Sequence, residues 1–172
     1  MPIWIRAAAF VLLAPGAVAG WVPWLIARGD AAAAGAPALR WLGGALLAAG
    51  WAIVLWCTRD FALRGRGTPA PYDPPRALVT SGLFAVVRNP MYVGVLLAIG
   101  GMAAWHRSDR VVAYGALVAL AFHLRVILYE EPRLAREFGA AFDAYRRAVP
   151  RWIPARRSTP PVAAGRSRDD SR

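Results

Sequence analysis

The sequence predicts an all-α protein: an integral membrane helical bundle of about four transmembrane helices, followed by an amphipathic C-terminal helix on the cytoplasmic side. Three observations carry this. Apolar residues make up 58% of 172 residues, more than a soluble domain needs, and they fall into runs long enough to cross a bilayer. All 21 basic residues are arginine, set between and after those runs. A stripe of apolar residues at helical spacing then follows the last run.

The first run is Ile3–Ala27, broken near its start by Arg6. Ala17-Val18-Ala19 resembles a signal-peptidase site, but the apolar character continues through Trp21–Ile26, so a retained transmembrane helix is expected. Pro15 and Gly16 are tolerable there if neighbours re-satisfy the backbone, and Trp4, Trp21 and Trp24 suit headgroup depth at its two ends. Arg28–Pro37 reads as a loop. Leu39–Cys57 is the second span, bracketed by Trp41 and Trp56, with Gly43, Gly44 and Gly50 permitting close helix approach. Residues 1–58 form this first pair.

Residues 59–77, with Arg59, Arg64, Arg66 and four prolines (Pro69, Pro71, Pro74, Pro75), read as a non-helical connection. Arg76–Val87 is apolar but interrupted by Thr80-Ser81-Gly82, as an interfacial or re-entrant piece would be. Arg88-Asn89-Pro90 then breaks the apolar pattern before Met91–Trp105. Proline has no N–H and clashes with a preceding turn, so a helix should start or kink there. Met91–Trp105 is short for an untilted span and reaches across with help from the residues before it. After the turn His106–Arg110, Val111–Leu128 is the fourth span, carrying His123 and Arg125 towards its end.

Glu130-Glu131-Pro132 opens the last helix, with proline and acids suited to a first turn. Leu134, Phe138, Phe142, Tyr145 and Val149 form its apolar stripe. Residues 78–154 thus form one unit, and residues 155–172 are a basic tail of disordered composition. Arginine counting places the 59–77 connection, the Arg-Asn-Pro break, the Glu-Glu-Pro helix and both termini on the cytoplasmic side of an inner or plasma membrane.

The net charge of +11 would suit nucleic acid, but arginines flanking apolar runs fit anionic lipid headgroups better. Cys57 is the single cysteine, which excludes an internal disulfide. No Cys/His spacing suits a metal, and His106 and His123 are isolated. Oligomeric state leaves no mark in the sequence. What remains is a cytoplasmic pocket of Arg88, Asn89, Tyr92, Arg125, Glu130 and Glu131. Polar groups this close to membrane-length apolar runs point to function. The set suits a zwitterionic, adenine-bearing ligand, though a short basic loop beside Pro90 would account for the break alone. A non-catalytic scaffold or small-molecule binder on the same fold is the alternative reading.

Leu78-Val79-Thr80-Ser81-Gly82 followed by Arg88-Asn89-Pro90-Met91-Tyr92-Val93-Gly94 resembles the first signature of the isoprenylcysteine carboxyl methyltransferase and phospholipid methyltransferase superfamily. Glu130-Glu131-Pro132-x-Leu134, Phe138-Gly139, Tyr145 and Val149-Pro150-Arg151-x-Ile153-Pro154 resemble its second. The resemblance spans residues 67–154. It implies an integral membrane methyltransferase using S-adenosylmethionine. By resemblance Leu78, Val79 and Phe84 line the cofactor cavity, with Arg88 beside it; Asn89, Pro90, Met91 and Tyr92 wrap the cofactor, and Glu130 holds its amino group. Arg125 and Glu131 are the catalytic candidates, Arg125 towards the acceptor and Glu131 as a base, with Arg151 in support. A lipid-like or prenylated acceptor reached from the bilayer is implied. Asn89 stands where eukaryotic members carry histidine, and Phe142 where tyrosine is common.

Overall fold

A computed structural model describes residues 3–30, 37–65 and 78–154; most of the 59–77 connection and the 155–172 tail lie outside the described residues. Every regular element among the described residues is helical. The order is α1 (Ile3–Leu13), α2 (Val22–Ala27), α3 (Pro37–Asp60), α4 (Pro90–His106), α5 (Asp109–Arg125), α6 (Glu131–Phe138) and α7 (Ala140–Ala148). Three continuous helical stretches are long and apolar enough to cross a membrane: Trp4–Ala27, Pro37–Leu63 and Asp109–Phe138, of 24, 27 and 30 residues. The fourth, α4, has 17 residues, or roughly 25 Å at 1.5 Å per residue. That falls short of a hydrocarbon core of about 30 Å.

Two of the long stretches are not regular throughout. Ala17–Trp21 and Val126–Glu130 are π-helical turns, each ending two residues before a proline, Pro23 and Pro132. A proline inside a helix cannot donate to the preceding turn, and a wide turn absorbs the mismatch. At the first, Val22 N–H donates to Ala17 O and Pro23 has no hydrogen to give, which strands the Val18 carbonyl. The Tyr114 hydroxyl of α5 donates to that carbonyl at 2.9 Å. The helix expected to begin at Glu130 is therefore continuous with the fourth span. It is also divided: Gly139, at φ +49°, separates α6 from α7. The apolar steps from Phe138 to Phe142 run straight across this break, which is why periodicity alone predicts one helix.

α3 and α4 pack antiparallel at backbone contact. A Cβ on Gly50 would lie 2.5 Å from Gly94 O and 2.6 Å from Ala98 N. Seven residues away, one on Gly43 would lie 2.6 Å from Trp105 N and 2.7 Å from Gly101 O. Small residues at such crossings let dispersion contacts accumulate where no hydrophobic driving force separates helix from lipid. Val54, Val95, Ala98, Ile99 and Val111 fill the core around this seam. Leu12, Leu13, Leu55, Leu117, Leu120 and Leu128 face outward and are exposed, as lipid-facing positions are.

At one end of the bundle, Ser108 caps α5 by accepting from Val111 N–H at 3.1 Å and donates its own hydroxyl to Asp30. Arg110 pairs with the same carboxylate at 3.4 Å, closing the first helical stretch onto the α4–α5 turn. Glu130 follows Asp109 by about 30 Å of helix, which places the charged site at the opposite end.

Candidate active site

The site is built on the start of α4. Asn89 precedes the helix with φ −124°, and Pro90 takes the first turn where a missing N–H costs nothing. The Asn89 side chain makes no capping bond; its Nδ2 donates to the carbonyl of Arg151 at 3.1 Å. Arg88 N–H donates to Pro150 O at 2.8 Å. The segment after α7 therefore lies across the Arg-Asn-Pro break as a strap. α7 is fixed from the other side, because the Tyr145 hydroxyl donates to Phe84 O at 2.7 Å and Phe142 is fully buried. Burial pushes the Tyr145 hydroxyl up to about 12, against the opposing pull of Arg88.

Two charged nodes meet here. In the first, Glu131 Oε1 accepts from Arg88 Nη1 at 3.0 Å and Arg151 Nε at 2.7 Å, while its Oε2 accepts from Arg151 Nη2 at 3.0 Å. The Arg88 and Glu131 side chains are only 12% and 17% exposed. Burial lowers the Arg88 guanidinium from its ordinary value, with Glu131 pulling the other way. The hydrogen bond to Glu131 raises Arg151. The Nε of Arg88 is buried without a hydrogen-bond partner.

In the second node, Glu130 Oε1 accepts from the Tyr92 hydroxyl and from Arg125 Nε, the latter at 2.8 Å. Arg125 Nε also reaches the Tyr92 oxygen at 3.1 Å, and its guanidinium lies 5.6 Å from the Tyr129 ring centre. Aromatic rings adjoin this node. Tyr92 stacks on Phe122 at 4.3 Å between centroids, and Trp152 lies 6.4 Å from Tyr92. Trp152 Nε1 donates to His123 Nδ1 at 3.3 Å.

The structure thus brings Arg88, Asn89, Tyr92, Arg125, Glu130, Glu131 and Arg151 to one end of the bundle. Val79 and Phe84 are buried nearby with Cys57, and Ile53, Phe61, Leu83 and Met91 pack against them; Leu78 is partly exposed and Pro90 buried. Trp152 and Phe122 carried no assignment in the sequence reading. The only sequence signal for Trp152 is its position between Arg151 and Ile153, inside the second motif.

The family described as phospholipid methyltransferase matches residues 38–141, more than half of the sequence. The chain belongs to the phospholipid methyltransferase family. Arg88, Tyr92, Arg125, Glu130 and Glu131 lie inside the matched region, and Arg151 and Trp152 lie beyond it. Among relatives, it is 33% identical over 124 residues to the nickel-cobalt-cadmium resistance protein NccN of Alcaligenes xylosoxydans xylosoxydans, covering 66% of this chain and 52% of that one. It is 38% identical over 80 residues to methanethiol S-methyltransferase 2 of Bradyrhizobium diazoefficiens, covering 45% and 30%. It is 36% identical over 78 residues to the protein-S-isoprenylcysteine O-methyltransferase of Schizosaccharomyces pombe, covering 45% and 33%. The matches therefore span about half or less of these relatives' length. No solved structure matches. Among the described residues no group of three or more His, Cys, Asp or Glu is placed to hold a metal ion.

Proposed function

We propose that this chain is a membrane methyltransferase that uses S-adenosylmethionine and methylates an oxygen, sulfur or nitrogen of an apolar, lipid-like acceptor. The observation that carries the reading is the convergence of the two charged nodes on the break before α4, within a chain of this family. Arginine placement supports a cytoplasmic position for that end and for both termini.

The residues fit the donor's chemistry. Glu130, with both its hydrogen bonds on Oε1, has Oε2 for an ammonium group. Arg88 has a buried donor for a carboxylate. Tyr92, Phe122 and Trp152 offer ring faces to a purine or a sulfonium, and Asn89 holds the strap beside them. When bound, the sulfonium would supply an already activated methyl group for a lone pair of the acceptor, with a neutral thioether as the leaving group. The chain's part is to position the acceptor and exclude water. Arg125, 45% exposed at the side chain, is the cation placed towards the acceptor. Both oxygens of Glu131 are occupied by arginines, so we assign it a positioning role: it holds Arg88 and anchors the strap. A carboxylate or thiolate acceptor needs no base, and the short α4 leaves the site near the bilayer surface, where a lipid-like molecule arrives sideways.

Calorimetry of S-adenosylmethionine with the full chain in detergent tests this. Saturable binding is expected, weakened about tenfold or more in Glu130→Gln, the loss of one charge-assisted bond. Equal affinity in the two proteins removes Glu130 from the site. Absence of binding by folded, lipid-supplemented wild type favours the non-catalytic alternative.

A further inference from the structure

At the opposite end of α4 from Asn89, a groove of about 790 Å³ runs between α4 and α5. Its size falls within the roughly 300–1,000 Å³ of small-molecule sites. Leu96, Ile99, Gly100 and Ala103 form one wall, Gly115 and Ala119 the other, and Arg107, Ser108 and Asp109 stand at the mouth. Gly100 and Val112 are exposed along it, so it opens to the side, where the surrounding solvent is lipid.

Two observations at the mouth point to an anionic head on the occupant. Arg107 follows the last turn of α4 at φ 53°, ψ 43°, the one non-glycine residue at positive φ among the described residues. Glycine occupies such a position without strain, and an arginine does not. Its exposed guanidinium has no ion-pair partner among the described residues, whereas Arg110 is paired with Asp30. The mouth also lies at headgroup depth. Trp21, Trp24, Trp41 and Trp105 are exposed at this end, and Arg28 and Arg40 stack on the Trp24 and Trp105 rings at 4.8 and 5.4 Å. Such an aromatic and arginine belt marks a membrane–water boundary.

We propose that this groove is a phospholipid site, with one acyl chain lying between α4 and α5 and the phosphate held by Arg107. The Asp109 carboxylate beside it favours a headgroup that carries an ammonium. The site is separate from the charged nodes and needs nothing of the chemistry there.

Native mass spectrometry of the full chain, titrated in detergent with phosphatidylethanolamine, phosphatidylglycerol or diacylglycerol, tests the proposal. Wild type should retain one phosphatidylethanolamine, hold phosphatidylglycerol less well, and release diacylglycerol, which has no phosphate. Gly100→Phe should abolish retention. A Cβ there meets nothing within 4 Å, so the ring enters the groove and leaves the packing alone, which an unchanged melting temperature verifies. Arg107→Gly relieves the backbone and should still weaken retention about tenfold. The proposal fails if wild type retains no phospholipid, if both variants retain it as wild type does, or if diacylglycerol binds equally well. It fails also if wild type is instead a dimer that Gly100→Phe dissociates, since the groove would then seat a second copy.

Discussion

Glu131→Gln separates a carboxylate that positions its surroundings from one that moves a proton. Glutamine preserves shape and removes the charge, leaving Arg88, 12% exposed, and Arg151, 32% exposed, without their shared counterion. Breaking a fully buried pair by deleting one partner costs about 3–5 kcal/mol, and an exposed pair at most about 1. A node intermediate in burial, with three hydrogen bonds to the carboxylate, should lose about 2 kcal/mol. The loss should be local. Glu131 is what ties the strap to α6, so opening of the strap becomes about thirtyfold more frequent. Hydrogen exchange in detergent reads this at the amide of Arg88, which donates to Pro150 O. That amide should lose about thirtyfold in protection, while amides in the α3–α4 seam stay unchanged. Cofactor affinity should fall with it. Unchanged protection at Arg88 together with abolished methyl transfer would refute the positioning role and restore Glu131 as a base.

Two further substitutions test the frame that carries the site. Gly50→Ala should destabilise the bundle by about 1–3 kcal/mol in a detergent melt, because its Cβ meets backbone atoms of α4 that cannot swing aside; a neutral result would mean that the α3–α4 crossing is not closed at backbone contact. Pro132→Ala restores a backbone donor in mid-helix and should raise the melting temperature while weakening S-adenosylmethionine binding; parallel changes in both would break the link between the π turn and the site.

What the sequence made legible were the features with a local physical cause. Membrane-length apolar runs gave the spans, Pro90 gave the start of α4, and charged residues beside those runs gave Arg88, Arg125, Glu130 and Glu131. The strap was not legible. Its bonds join residues about sixty positions apart, Asn89 to Arg151 and Arg88 to Pro150, and periodicity carries no information at that range. Nor could the sequence distinguish Gly100 from Gly101. The two are adjacent in one apolar run, yet one faces empty space and the other would place a Cβ 2.5 Å from Leu47 N. The division of the last helix was signalled by Gly139 itself, but the apolar stripe on either side keeps step and hides it.

The π turn before Pro132 explains how neighbouring acids come to serve different nodes. Arg125 and Glu130 are five residues apart and joined through Arg125 Nε at 2.8 Å. In a regular α-helix, positions i and i+5 point about 140° apart, at 100° per residue, and their side chains diverge. In a π turn the hydrogen bond itself runs over five residues, and Glu131 N–H does donate to Val126 O. Arg125 and Glu130 are thereby stacked on one face, towards Tyr92 of α4, and Glu131 starts the next regular helix turned towards Arg88 and the strap. The same defect before Pro23 strands a carbonyl that Tyr114 must satisfy, a purely structural consequence. Before Pro132 it falls at the edge of the membrane, beside the break in α4, where the realigned charges have a site to form. Proline thus acts twice at this end: Pro90 opens α4 beneath the strap, and Pro132 sets the register of the acids that face it.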